Sequence, residues 1–164
     1  MKTLWAPWRM EYISKGKEEG CFICKAATQR PSPRNLVLKK YKNVLIVMNR
    51  FPYNTGHLMI APISHKGEME SLSDDERKEL MIALVDSIKV LKKTMSPQGF
   101  NVGINLGRVA GAGLEDHLHI HIVPRWSGDT NFMPIFSETK VIPQHLLATY
   151  KLLKEGFERC SGES

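Results

Sequence analysis

The sequence predicts an α+β chain: an antiparallel sheet of about five strands, one long covering helix and a C-terminal helix. Three observations carry that expectation. Short apolar runs bounded by Gly, Pro and Asn recur along the chain, several with the strict alternation of a half-buried strand. A single long stretch with apolar residues at helical spacing starts at a capping-box signature, Ser73-Asp74-Asp75-Glu76. A shorter amphipathic stretch lies near the C-terminus. At 164 residues the chain is expected to form one domain over 1–164, with 1–20 as an arm and 143–159 as the C-terminal helix.

Composition narrows the function classes. Hydrophobic content of 42% and charged content of 24% are those of an ordinary globular protein. No apolar run approaches the ~20 residues of a membrane span, and no apolar signal core follows Met1. A cytoplasmic location is expected. The net charge of +6 suits an anionic ligand, but the basic residues are scattered and form no nucleic-acid stripe. Three cysteines give no disulfide framework, and Cys160 stands alone.

In chain order, Trp5, Pro7, Trp8 and Tyr12 read as an arm or short helix that lays aromatics on the body or on a second subunit. A polar loop, 14–20, precedes Cys21-Phe22-Ile23-Cys24. A C-x-x-C pair is half a metal site, a redox pair or two core cysteines. The preceding loop argues against the redox setting. Zinc needs two further ligands, and His65 and one histidine of the 117–121 stretch are available.

Leu36–Leu38, Asn43–Met48 and His57–Ala61 read as strands, the last ended by Pro62. The intervening 49–56 is a turn-rich loop. The helix after Ser73 carries Leu80, Leu84, Ile88, Leu91 and Met95 on one face and stops before Ser96-Pro97. Gly99–Asn105 alternates as a strand, with Phe100, Val102 and Ile104 on one face. A glycine-rich turn, 106–113, follows. Such a turn can be a plain hairpin, or its backbone N–H groups can hold phosphate.

His117, His119 and His121 then alternate with Leu118, Ile120 and Ile122. The spacing predicts a strand with all three imidazoles on one face, about 6–7 Å apart, and the aliphatics in the core. A row of imidazoles can supply a nucleophile, an acid or base, a phosphate contact or a metal ligand. The stretch 143–157, with Leu146, Leu147, Tyr150 and Leu153, reads as an amphipathic helix opened by Pro143.

The segment His117-Leu118-His119-Ile120-His121-Ile122-Val123 resembles the signature of the histidine triad (HIT) family, nucleotide hydrolases and transferases that act on an α-phosphate. Leu4-Trp5, Arg9-Met10, Gly111-Ala112-Gly113 and 125–134 look like the bacterial diadenosine tetraphosphate phosphorylase branch, and the likeness covers about residues 4–155. The resemblance implies a HIT-like fold. It implies His119 as the nucleophile and His121 as the donor that stabilises transition-state charge. It assigns a structural Cys2His2 zinc site to Cys21, Cys24, His65 and His117. It places Phe22, Ile23, Val47 and Met48 on the wall of a base pocket, although the residues by themselves favour plain core for these four. Asn49 would contact the ribose, Asn105 the phosphate or ribose, and Gly111 and Gly113 would belong to the phosphate loop. His57 would lie beside the active site, or serve as a structural hydrogen-bonder.

One departure stands out. The hydrolase branches place Gln, Ser or Thr just before the triad, and residues 107–116 contain none, with Gly113 where the Gln would be. That argues for transfer to a second phosphate. The resemblance therefore implies phosphorolysis of diadenosine tetraphosphate to ADP and ATP by a homodimer, with nucleotide and inorganic phosphate as ligands. The alternatives are a dinucleotide or phosphoramidate hydrolase, and a nucleotide-binding or zinc-ordered module without turnover.

Overall fold

The computed structural model describes residues 20–129 and 145–161. Helix α1 (Phe22–Thr28) leads into β1 (Val37–Lys40), β2 (Val44–Met48) and β3 (Leu58–Pro62). Helix α2 (Asp74–Met95), β4 (Gly99–Ile104), β5 (Ile120–Arg125) and α3 (Leu146–Ser161) follow. Single 3-10 turns at Met69–Ser71 and Arg108–Ala110 lie in the connections. The strands form one antiparallel sheet in the order β1-β2-β3-β5-β4. The expected α+β architecture is the observed one. The aromatic arm before Gly20 and the stretch around Pro134 lie outside the described residues.

Sheet order decides where the chemistry sits. The last strand inserts between β3 and β4, so β5 has a partner on both sides. β2 and β3 are buried at every position. Both of their faces are covered, which is why they read as continuous apolar runs rather than alternation. α2 packs against β2 and β3, α3 against α2 and β1. Ile23 and Ala26 of α1 join the same core.

α2 begins and ends as its sequence predicts. The Ser73 hydroxyl accepts the Glu76 N–H at 3.2 Å and the Glu76 carboxylate accepts the Ser73 N–H at 2.7 Å, a complete capping box. Ser96 takes a left-handed conformation (φ +48°) directly before Pro97, where the right-handed helix is disfavoured. The buried stripe is rotated from the expected one. Leu80, Ala83, Ser87, Val90 and Leu91 are buried, Leu84, Ile88 and Met95 are half-buried, and Met81, Ile82 and Val85 are exposed. The reason is α3, which lies against this helix. A Cβ on Gly156 would come within 2.7 Å of Thr94 Cγ2 and 2.9 Å of Val90 Cγ1, so the helices cross closely there. Ser87 is accommodated because its hydroxyl donates to the Ala83 carbonyl at 2.7 Å.

The histidine stretch differs from expectation. A strand was expected from His117, but β5 begins at Ile120, and His117, Leu118 and His119 precede it in irregular backbone. The Leu118 N–H donates to the Lys66 carbonyl at 2.7 Å, which draws this segment out of the ladder toward the loop after β3. The aliphatic half of the pattern holds: Leu118, Ile120 and Ile122 are buried. The three imidazoles do not share one solvent-facing row; His117 turns to a separate cluster. At the C-terminal end, α3 starts after His145 rather than at Pro143, and Pro143 itself lies outside the described residues.

Candidate active site and metal centre

Cys21 is the N-cap of α1, and its Sγ accepts the Cys24 N–H at 3.5 Å. One helical turn places both thiols on one side. His65 comes from the loop after β3 and His117 from the segment before β5. Cys21 Sγ lies 3.1 Å from His117 Nδ1, Cys24 Sγ 3.2 Å from His65 Nδ1 and 3.5 Å from His117 Nδ1, and the two Nδ1 atoms are 3.2 Å apart. All four donor atoms fall within 4.8 Å of one another. A tetrahedron with bonds of about 2.0 Å to nitrogen and 2.3 Å to sulfur has edges of roughly 3.3–3.8 Å. The donor set therefore fits zinc in size and chemistry.

The surrounding bonds prepare this site. His117 Nε2 lies 2.8 Å from the Pro62 carbonyl, so Nε2–H donates there and the Nδ1 lone pair is free to ligate. Burial holds the His117 imidazole below its ordinary range and so neutral, although the bond to Pro62 acts in the opposite direction. Burial pushes the Cys24 thiol up, and neighbouring Cys21 adds to that. A dication would reverse the balance for the thiols, because coordination deprotonates them. The motif does sit at a helix N-terminus, one feature of a redox pair. Both thiols are nevertheless within reach of an imidazole, and both are unbridged.

The second constellation begins one residue later. His119 Nδ1 lies 2.8 Å from the His117 carbonyl oxygen. A carbonyl only accepts, so the proton sits on Nδ1 and Nε2 carries a bare lone pair. His57, fully buried, resolves the other tautomers. The Tyr53 N–H donates to His57 Nδ1 at 3.0 Å, so the His57 proton is on Nε2. That Nε2–H donates to His121 Nδ1 at 2.9 Å, which leaves the His121 proton on its own Nε2. The His119 and His121 rings stand edge to face with centroids 4.8 Å apart. Burial, and secondarily repulsion from His119 whenever both rings would be protonated, hold His121 at about 4. The site thus pairs an imidazole lone pair with an imidazole N–H donor.

The other predicted residues fall into place unevenly. Asn49 lies beside His57, its amide nitrogen 3.4 Å from His57 Nδ1, and its oxygen accepts the Phe51 N–H. Asn105 follows β4, whose last residue Ile104 pairs with Ile120 next to His119, and its amide donates to the Gly111 carbonyl at 3.3 Å. Gly107 and Gly111 have φ of +80° and +88°, which explains two of the glycines in this loop. The Ala110, Gly111 and Ala112 amides bond within the loop. Gly113 faces open space. Ile23, Val47 and Met48 are buried core residues, whereas Phe22 is 39% exposed.

Sequence reasoning missed Tyr53, Asn54 and Asp129. The Tyr53 ring stacks on His57 with centroids 4.6 Å apart. Buried Asn54 donates to the Pro124 carbonyl and to Asp129, and Arg125 forks onto the same carboxylate at 2.6 and 2.8 Å. These bonds hold the turn after β5. An Asp four residues after Arg125 in a Ser-Gly turn was a usable signal; the main-chain N–H of Tyr53 left none.

Residues 30–128 match the HIT domain family model, and the chain belongs to that family. It is 41% identical over 167 residues to the AP-4-A phosphorylase of Mycobacterium tuberculosis, covering 97% of this chain and 86% of that protein. Two solved structures share the fold. A hypothetical histidine triad nucleotide-binding protein of Sulfolobus tokodaii has a TM-score of 0.68 at 22% identity, covering 86% of this chain and 94% of that one. A Zn-bound histidine triad family protein of Mycobacterium smegmatis has a TM-score of 0.68 at 17% identity, covering 88% and 98%. Among the described residues, no helix is long and apolar enough to cross a membrane.

Proposed function

We propose that the chain is a nucleotidyltransferase that phosphorolyses diadenosine tetraphosphate. The observation that carries the reading is the bond from His119 Nδ1 to the His117 carbonyl, which leaves Nε2 unprotonated beside the His121 donor. His119 Nε2 attacks the α-phosphorus in line. The bond from that phosphorus to the bridging oxygen breaks, ATP leaves, and AMP stays on His119. An oxygen of inorganic phosphate then attacks the same phosphorus, the P–N bond breaks, and ADP leaves. Splitting one displacement into two lowers each barrier. His121 Nε2–H donates to the phosphoryl oxygens as charge develops. Asn49 takes the ribose, and Phe22, Ile23, Val47 and Met48 back the base. Asn105, Gly111 and Gly113 frame the space for the phosphates. Gly113 leaves open the position where a larger side chain would meet the incoming phosphate.

Zinc would be held by Cys21, Cys24, His65 and His117, with no open position and so a structural role. It would tie α1 to the segment that carries His119. A homodimer is supported by the exposed edge strand β4, where Val102 is 45% exposed, and by exposed Met81, Ile82 and Val85 on α2. A cytoplasmic location and a single HIT domain belong to the same reading.

Incubation with diadenosine tetraphosphate, with and without inorganic phosphate, followed by chromatography tests the reaction. ADP plus ATP formed only with phosphate is the expected outcome. AMP plus ATP formed without phosphate would make the protein a hydrolase and overturn the reading of Gly113.

A further inference from the structure

Glu76 lies outside both constellations, yet its buried carboxylate touches the chain on each side of His65. It accepts the Ser64 hydroxyl, the Lys66 ammonium at 2.8 Å and the Ser73 N–H at 2.7 Å. Burial pushes this carboxyl up, but the bonds from Lys66, Ser64 and Ser73 outweigh it and hold it at about 2. The same loop then contacts the triad segment twice. The Lys66 carbonyl accepts the Leu118 N–H at 2.7 Å. Gly67 lies against the main chain of Glu115 and Asp116, so closely that a Cβ there would be 2.6 Å from the Glu115 carbonyl oxygen. Leu118 stands between His117 and His119.

We propose that Glu76 is a positioning residue: it clamps Ser64–Lys66 so that His65 meets the metal site and, through Leu118, sets the backbone that aims His119. A capping box needs only the bonds between Glu76 and Ser73. The bonds to Ser64 and Lys66 exceed that need, and they fall on the two residues flanking a ligand. The charge is required because Lys66 brings a cation and two hydroxyl or amide donors compete for the remaining lone pairs. The inference rests on the zinc and nucleotidyl-transfer reading above.

Two variants separate the clamp from the cap. Glu76→Gln keeps a residue that caps helices in the same box but removes the charge that holds Lys66. Ser73→Ala removes the cap and leaves the clamp. Zinc release to a chromophoric chelator and amide exchange of Leu118, relative to Ile46 in the sheet centre, are read in each. Glu76→Gln is expected to release zinc about tenfold faster and to expose Leu118 to exchange selectively, with kcat falling more than KM rises. Ser73→Ala is expected to lower Tm while the ratio of Leu118 to Ile46 exchange stays at the wild-type value. Equal effects of the two variants on that ratio, or no effect of Glu76→Gln, would overturn the proposal. Lys66→Met, which removes the other partner of the ion pair and spares the cap, gives the same test if Glu76→Gln does not fold. If the wild type takes up no zinc, the metal reading fails, and the Leu118 exchange ratio alone decides the clamp.

Discussion

His119 presents its Nδ1 2.8 Å from the carbonyl oxygen of His117, two residues earlier on the same chain. A main-chain acceptor thereby selects the tautomer of the ring that follows. Local geometry thus leaves the lone pair of that ring on Nε2, and no carboxylate among the described residues is bonded to Nδ1.

His119→Ala is therefore expected to lower kcat by on the order of 10³-fold or more while the far-UV spectrum and Tm stay close to wild type. Intact-protein mass spectrometry after a base quench should find an AMP adduct on the wild type and none on the variant. Turnover within tenfold of wild type would remove His119 as nucleophile.

His57 sets the second tautomer, through Nε2–H to His121 Nδ1 at 2.9 Å. Replacing it with Ala leaves the His121 ring without its fixed donor. Steady-state kinetics should show kcat down by roughly 10- to 100-fold with KM changed little, as for outer partners of ligating or reacting histidines. A change confined to KM would place His57 in substrate binding instead.

Cys21 caps α1 and faces His117. Cys21→Ser is expected to reduce zinc per chain and to lower Tm by about 5 °C or more, the shift for a loss of roughly 2 kcal/mol in a chain of this size. Chelator should produce a similar shift in the wild type and a smaller one in the variant. Metal analysis that gives equal zinc in both proteins would reject the site.

His121 titrates at about 4 in the folded protein, below the ordinary histidine value near 6.5. Its contribution to stability is complete above about pH 6.5. Below that the unfolded chain binds a proton that the native ring refuses, so stability falls until about pH 4. Urea midpoints should therefore drop more steeply for wild type than for His121→Asn across that window. Parallel curves would show that burial does not hold His121 neutral.

Much of the framework was legible because its signals are local. The apolar runs at 43–48 and 57–61 became β2 and β3, and the box at Ser73–Glu76 became the start of α2. The spacing of the three histidines and of the C-x-x-C pair marked them as candidates for chemistry, and the family resemblance implied which chemistry. Register and rotation were less legible. The buried face of α2 is set by how close Gly156 brings α3, and nothing near residue 80 encodes that.

By itself the sequence determined the strands, the long covering helix, the C-terminal helix and the residue types available for catalysis and metal binding, because periodicity and capping act over a few residues. The short helix α1 had no such signal, and the pairing of His65 and His117 with the two cysteines was implied by the family resemblance alone. Only the tertiary structure decided that β5 lies between β3 and β4, that His117 leaves the row to face the cysteines, and that His57 turns its Nε2–H toward His121. Those outcomes depend on partners far apart in sequence, such as Leu118 with Lys66 and His57 with His121. Such bonds form only when the packed sheet brings their main chains together, so no local pattern carries them.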